Sequence, residues 1–205
     1  MKYYIKIISY TQEILLGLGI LILMTLPLAV LYNVDPVTAQ TMVLYDVVHI
    51  SLFFVMVIRP LADIWTNTQY VRPLVILRKS FGVVSASIVV SFLLAKIIAD
   101  PSGYMQDFFT PAYWSLVNYA LFAHLADVTA VLLLITSNRF SKRILGVWWK
   151  RVQRLSYVYF YASSLYVYLS FDETLVLIFV LIVTFLTLVA FIKNSLKKSP
   201  TPQTV

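Results

Sequence analysis

Six long apolar runs constrain what this chain can fold into more than any other feature of its sequence. A helix needs roughly 20 predominantly apolar residues to cross the hydrocarbon core of a bilayer. The 205 residues are 60% hydrophobic and only 12% charged, so six such helices leave no room for a soluble catalytic domain. We therefore predict an all-α membrane protein, a six-transmembrane-helix bundle. The predicted spans are residues 14–32, 43–58, 81–98, 113–135, 155–169 and 174–192.

Basic residues determine the predicted orientation of these spans. If the N-terminus is cytoplasmic, all of the 16 Lys and Arg residues except Lys96 lie on the inner side. The positive-inside rule selects this orientation and places both termini in the cytoplasm. The net charge of +7 thus reflects topology and attraction to anionic lipid headgroups, and it gives no support for nucleic-acid binding.

The runs also predict the domain organisation. We expect residues 1–198 to form a single transmembrane domain and residues 199–205 to form a disordered C-terminal tail. The first run is too long for the core of a secretory signal, so we expect it to remain as a span. The sequence has no cysteine, which excludes disulfides and metal sites built on thiolates.

Ionisable residues inside the predicted spans are the candidate functional residues, because such side chains are costly to bury in a bilayer. Asp46 and His49 lie three residues apart in the second span. His124 and Asp127 lie three apart in the fourth, with His124 near its middle. Each pair shares a helix face. Three interpretations are open. The carboxylate of each pair orients the imidazole next to it, the four residues form a proton relay, or His49 and His124 are the axial ligands of a haem.

Small side chains in the third and fifth spans predict that these two helices pack together, since small residues let helix backbones approach closely. Tyrosines and tryptophans in and before the fifth span are typical of the membrane–water interface, although an electron-hopping path would use the same residue types. The small residues are Ser85, Ala86, Ser87, Ser91 and Ala95 in the third span and Ala162, Ser163 and Ser164 in the fifth.

Four motifs in this chain follow one another in a recognisable order and spacing. Residues 59–61 (Arg-Pro-Leu) end the second span, and residues 78–82 (Arg-Lys-Ser-Phe-Gly) lead into the third. Residues 134–138 (Leu-Ile-Thr-Ser-Asn) end the fourth span, and residues 145–157 (Leu-Gly-Val-Trp-Trp-Lys-Arg-Val-Gln-Arg-Leu-Ser-Tyr) lead into the fifth. Together they resemble the ferric reductase-like transmembrane family over about residues 43–168. The resemblance is greatest to its small bacterial members of the MsrQ (YedZ) type, the haem-bearing membrane partners of a periplasmic methionine sulfoxide reductase.

The resemblance implies a b-type haem between the third and fifth helices, electron transport across the membrane, and a location in the bacterial inner membrane. It places the family's haem-ligand histidines at Phe92, Gln153 and Tyr166 of this chain. None of the three is a histidine, although a tyrosine phenolate such as Tyr166 can in principle ligate ferric haem. His49 and His124 do not fall on ligand positions of the family.

These residues lead to one principal hypothesis and two alternatives. The principal hypothesis is a haem-free, degenerate relative of this family, without catalytic activity or a cofactor of its own. It would act as an accessory or scaffold subunit of a larger membrane complex, for example a redox or photosynthetic one. Its partners would be membrane lipids and other membrane-protein subunits. The first alternative is electron transfer through haem b or a quinone bound by His49, His124 or Tyr166, and the second is a proton or small-solute pathway through Asp46, His49, His124 and Asp127.

Overall fold

A computed structural model describes residues 1–32, 39–66, 68–116 and 119–198 of the chain. All regular secondary structure in these residues is helical, which confirms the predicted all-α class. The predicted tail at residues 199–205 lies outside the described residues. In chain order, the helices are α1 (Lys2–Tyr32), α2 (Ala39–Ile64), α3 (Val71–Leu74), α4 (Leu77–Ala99), α5 (Pro101–Phe108), a 3-10 helix (Pro111–Trp114), α6 (Ala120–Thr136), α7 (Arg139–Leu145), α8 (Trp148–Gln153), α9 (Leu155–Phe171) and α10 (Thr174–Lys198).

Several of these helices are long and apolar enough to cross a membrane, as expected of a multi-pass integral membrane protein. Within the described residues, four helical segments are clear candidates for membrane spans. The helices α6 and α7 meet at a bend of 96° and give a fifth candidate if they are counted together as one broken span. The four clear candidates are Lys2–Ala29, Leu44–Ile64, Val71–Ala99 and Thr174–Leu196.

Burial separates central helices from peripheral ones. About half of the span residues in α2 and α4 are buried, 56% and 50%, against 11% in α1 and 17% in α10. The helices α2, α4, α6 and α9 surround the core, while α1 packs along α4 and α10 packs along α2. The centre of the core is apolar and almost completely buried, and it includes Val48, Leu52, Met56, Ile88, Ala130 and Phe160.

Two of the predicted boundaries were wrong. The helix α1 begins at Lys2 instead of residue 14, because hydropathy marks only the stretch that hydrocarbon covers and the helix continues past it. The helix α6, at the predicted fourth span, begins at Ala120 instead of residue 113. Pro111 starts a separate 3-10 helix, and Tyr119 then adopts a left-handed backbone conformation with φ of 58°, so α6 starts only after it.

The small residues of α4 serve a different contact from the predicted one. The backbones of α4 and α1 approach each other closely at Gly19, where a Cβ atom would lie 2.9 Å from Val83 Cγ1 and 3.5 Å from the Val84 backbone nitrogen. The Ser91 hydroxyl lies 3.4 Å from the Ile22 carbonyl oxygen of α1, in addition to its shorter bond of 2.6 Å to the Ser87 carbonyl of α4. The helices α4 and α9 meet through the hydroxyls of Ser85 and Tyr159 and not through close backbones, so the predicted close packing between them is corrected.

Cations tie neighbouring helices to the final turns of α2. The Arg78 guanidinium donates to the Val55 carbonyl at 2.7 Å, and the Lys193 ammonium of α10 donates to the Ile64 carbonyl. Since the last carbonyls of a helix lack partners within it, a lysine from a neighbouring helix both caps α2 and joins α10 to it.

Substitution of Gly19 by leucine should loosen α1 from α4. The larger side chain has no space against Val83 and the Val84 backbone, and overpacking of this kind costs about 1–3 kcal/mol. The free energy of unfolding in mixed micelles should fall by that amount. Gly17→Leu is the matched control, because a Cβ atom at Gly17 has nothing within 4 Å. Equal losses in both variants would contradict the proposed packing.

Candidate functional site

A stripe of polar residues on α9 forms the centre of the candidate site. Ser156, Tyr159, Ser163 and Tyr166 recur at intervals of three or four residues and fall within an arc of roughly 80° on an ideal helix. Gln153 precedes them at the end of α8. Tyr159 and Ser163 are buried, with 1% and 8% exposure. We call these five residues, Gln153, Ser156, Tyr159, Ser163 and Tyr166, the polar stripe. The burial of Tyr159 and Ser163 shows that the polar stripe faces the interior of the bundle.

Members of the polar stripe bond to three other helices. The Tyr159 hydroxyl lies 2.9 Å from Ser85 Oγ on α4. The Ser163 hydroxyl lies 3.0 Å from His49 Nε2 on α2. The Gln153 amide donates to Thr136 Oγ1 at the end of α6, at 3.4 Å. Hydrogen bonds between transmembrane helices stabilise their association, and these three join α8 and α9 to each of the other central helices.

His49 uses both of its ring nitrogens. Its Nδ1–H donates to the Tyr45 carbonyl at 2.8 Å, because a carbonyl can only accept. In the neutral ring, Nε2 then accepts from the Ser163 hydroxyl. The imidazole is 2% exposed, whereas Asp46 is exposed. The expectation that Asp46 orients His49 was wrong, since a helical histidine reaches the carbonyl one turn earlier and leaves its other nitrogen for α9.

His124 and Asp127 do not pair either. Because α6 begins at Ala120, His124 lies near the start of the helix and not near the middle of the span. Its ring stacks on Tyr113 of the 3-10 helix, with centroids 3.3 Å apart and an interplanar angle of 11°. Asp127 lies one turn deeper and faces the bundle instead. The predicted carboxylate–imidazole pair is therefore replaced by an aromatic stack and a separate carboxylate.

A small cavity of about 80 Å³ lies among the four central helices at this level. Asp127 of α6 and Lys96 of α4 both line it, with the hydroxyl residues Tyr45, Ser163 and Tyr166. Asp127 makes no hydrogen bond and no ion pair within 4 Å to another residue that the structure describes. The volume admits several waters and is well below the roughly 300–1,000 Å³ of typical small-molecule pockets.

Lys96 was missed as a site residue by sequence reasoning. It was placed on the outer side because it lies near the end of the third span. Two features of the sequence point to Lys96. It is the one basic residue that the predicted orientation does not place on the inner side, and it lies one helical turn after Phe92 on the same helix face. Both Phe92 and Lys96 line the cavity.

The three positions that the resemblance assigns to haem ligands have other contacts. Phe92 and Tyr166 line the cavity from α4 and α9, and Phe92 stacks on Tyr45 with ring centroids 5.7 Å apart. Gln153 is bonded to Thr136. Phenylalanine has no atom that can ligate iron. His49 could ligate iron only if it broke one of its existing hydrogen bonds. The three positions therefore offer no imidazole to a haem, and Tyr166 is the one among them with an oxygen that could ligate iron.

The cavity ends at an apolar layer. One turn further along α2, α4 and α9 lie Leu52, Ile88 and Phe160, each with 0–1% exposure. No cavity-lining residue lies beyond this layer in the described chain. The cavity therefore does not extend past this layer.

Comparison with family models, with curated proteins and with solved structures finds no match to this chain. The resemblance to the ferric reductase-like family stays a prediction that rests on the sequence motifs.

Ser163→Ala should destabilise the bundle by about 0.5–2 kcal/mol, because it leaves His49 Nε2 buried without a partner. The neighbouring Ser164 is the matched control, since its buried hydroxyl has no hydrogen-bond partner among the described residues. Ser164→Ala should leave the free energy of unfolding unchanged or slightly higher. Equal free energies of unfolding for the two variants in the same micelle assay would show that the bond between Ser163 and His49 does not stabilise the bundle.

Proposed function

We propose that the chain crosses the membrane six times, with both termini in the cytoplasm of a bacterial inner membrane. The helices α6 and α9 supply the two crossings beyond the four clear candidates. Each has 17 residues, about 25 Å of helix, which is at the short end of the range for a span. The cations of α7 and α8 then lie on the same side as both termini, in agreement with the positive-inside rule.

We further propose that it is a haem-free, non-catalytic subunit of a larger membrane complex. The observation that carries this proposal is the polar stripe, whose members bond to α2, α4 and α6. In the family that this chain resembles, the positions of Gln153 and Tyr166 would hold a cofactor. Here Gln153 bonds to Thr136 instead, and the neighbouring Tyr159 and Ser163 hydroxyls bond to α4 and α2 without a prosthetic group. Such a bundle acts through its outer surface.

The peripheral helices provide that surface. Along α10, exposed apolar side chains recur at the spacing of one helix face, with Leu181 at 60% and Phe185 at 65% exposure. Along α1, Leu21 and Met24 are 60% and 68% exposed. Lipid can cover such faces, and so can neighbouring subunits, because the two surroundings are equally apolar. We propose that at least one of the two faces contacts another subunit.

Photoreactive residues at these positions test this proposal in native membranes. A photoreactive side chain at Phe185 or Leu181 of α10, or at Leu21 or Met24 of α1, should yield one discrete protein adduct from the contacting face. Because α1 and α10 pack on different central helices, each face serves as the control for the other. The chain should also migrate with its partner at a fixed ratio after mild extraction. Lipid adducts alone at both faces, with a monomeric chain that has activity of its own, would contradict the proposal.

A proton or small-solute function is the second candidate, and the cavity is the observation that favours it. An unpaired carboxylate at this depth is costly unless water or a counter-charge reaches it, and Lys96 provides the charge. The apolar layer below His49 closes the site at one end. A transport cycle would therefore need Leu52, Ile88 and Phe160 to move apart.

Proteoliposomes with a pH gradient test this second candidate. If it is correct, the chain produces proton flux above that of empty vesicles, and Asp127→Asn removes most of it. Asp46→Asn is the control, because Asp46 is exposed and lies outside the cavity. The candidate is discarded if the unsubstituted chain gives no flux, or if both variants behave alike.

A further inference from the structure

The connection between α6 and α9 is a fixed structure. Asn138 begins α7 by accepting a hydrogen bond from the Ser141 amide at 2.7 Å, while its own amide donates to the Ile135 carbonyl at 2.8 Å. One side chain thus satisfies the last turn of α6 and the first turn of α7. The bend of 96° between the two helices follows from this double contact.

The second half of the connection is held against α6. The Trp149 indole donates to the Thr136 carbonyl at 3.1 Å, and the Lys142 ammonium lies 5.1 Å from the centroid of its ring. Gly146, with φ of 49°, makes the turn between α7 and α8. We call residues 139–154 the basic hairpin.

The basic hairpin has six exposed cations and no acidic residue. None of the six forms an ion pair with a residue that the structure describes. The guanidinium carbon of Arg151 lies 4.3 Å from the centroid of the Trp148 ring. This cation–π contact does not neutralise the positive charge, so Arg151 can still pair with an anion outside the protein. The six are Arg139, Lys142, Arg143, Lys150, Arg151 and Arg154.

Large apolar side chains stand among these cations. Phe140 is 71% exposed, Ile144 66%, Val147 83% and Trp148 59%. Phe140 and Ile144 lie four residues apart in α7 and so share one face of that helix, while Val147 and Trp148 lie beyond the turn at Gly146. An acidic protein surface would complement the charges alone. A surface that mixes exposed aromatic and aliphatic groups with lysine and arginine matches the headgroup region of a bilayer.

We propose that the basic hairpin lies in the plane of the membrane and binds the headgroups of anionic phospholipids. The apolar side chains enter the acyl boundary, and the cations pair with headgroup phosphates. This proposal rests on the crossing of the membrane by α6, because the 96° bend then turns α7 parallel to the bilayer surface. The built turn at Asn138 holds the cations in place before lipid arrives, which reduces the entropy lost on binding.

Brominated lipids test the proposal through tryptophan fluorescence of the whole chain in vesicles. The chain has four tryptophans, so Trp65→Phe and Trp114→Phe leave Trp148 and Trp149 as the reporters. Brominated phosphatidylglycerol should quench them more strongly than brominated phosphatidylcholine at the same mole fraction. We expect a preference of at least about threefold in apparent affinity, reduced by added salt.

Charge-matched variants separate the basic hairpin from net charge. Replacement of Lys142, Arg143, Lys150 and Arg151 by glutamine should reduce the preference to about onefold. In the control, the four exposed cations Lys2, Lys6, Arg72 and Lys79 are replaced by glutamine, which changes the net charge equally and should leave the preference intact. Circular dichroism confirms that both proteins are helical.

Three outcomes would overturn the proposal, and they are distinguishable. Equal quenching by the two lipids rejects anionic recognition while it leaves the crossing by α6 in place. Loss of the preference in the control variant assigns it to overall charge. Absence of quenching by either lipid means that the basic hairpin does not touch the bilayer, and it would also reject the proposed crossing by α6.

Discussion

Hydrogen bonds between buried polar groups on neighbouring helices join the centre of this structure. In an apolar bundle, a buried hydroxyl or imidazole without a hydrogen-bond partner destabilises the fold, because neither water nor lipid supplies a replacement bond. Tyr159 and Ser163 of α9 are two such groups, and Ser85 of α4 and His49 of α2 lie opposite them. Gln153 of α8 bonds in the same way to Thr136 of α6. The bond between Ser163 and His49 shows the consequence, because it fixes the imidazole, its tautomer and the separation of two helices together. The arrangement of the four central helices follows from these pairs.

The same constraint explains why the cavity is unusual. Asp127 lies at the level where the polar stripe ends, and no described hydroxyl or amide completes its hydrogen bonds. Lys96 shares the cavity without close contact, so the carboxylate relies on counter-charge and on space for water. A scaffold alone has no use for such a group. The polar cavity around Asp127 is therefore the feature through which a scaffold function and a proton or solute function can be separated by experiment.

Sequence reasoning succeeded where the signal is local and failed where it is not. Apolar runs predicted the helical class because hydropathy acts over one segment, yet they misplaced the starts at Lys2 and Ala120, since helices extend beyond hydrocarbon and a left-handed residue can delay them. Pairing within a helix was predicted for the histidines because residues three apart share a face. One partner of His49, the Tyr45 carbonyl, lies one turn away, but the other, Ser163, is 114 residues away in the sequence, and no periodicity encodes that. The ligand positions taken from the resemblance did come together in part, as Phe92 and Tyr166 line one cavity.

We propose that this bundle holds no haem, because its buried polar groups bond to other helices and the family's ligand positions offer no imidazole. A dithionite-reduced minus oxidised absorbance spectrum of the purified chain, expressed with haem supplied in excess, tests it most directly. A pyridine haemochromogen assay on the same sample gives the haem content per chain. The account predicts no b-type absorbance bands and no stoichiometric haem. A clear b-type spectrum with close to one haem per chain would contradict it, and would require His49 to break its bonds to Tyr45 and Ser163, or Tyr166 to ligate the iron from the cavity.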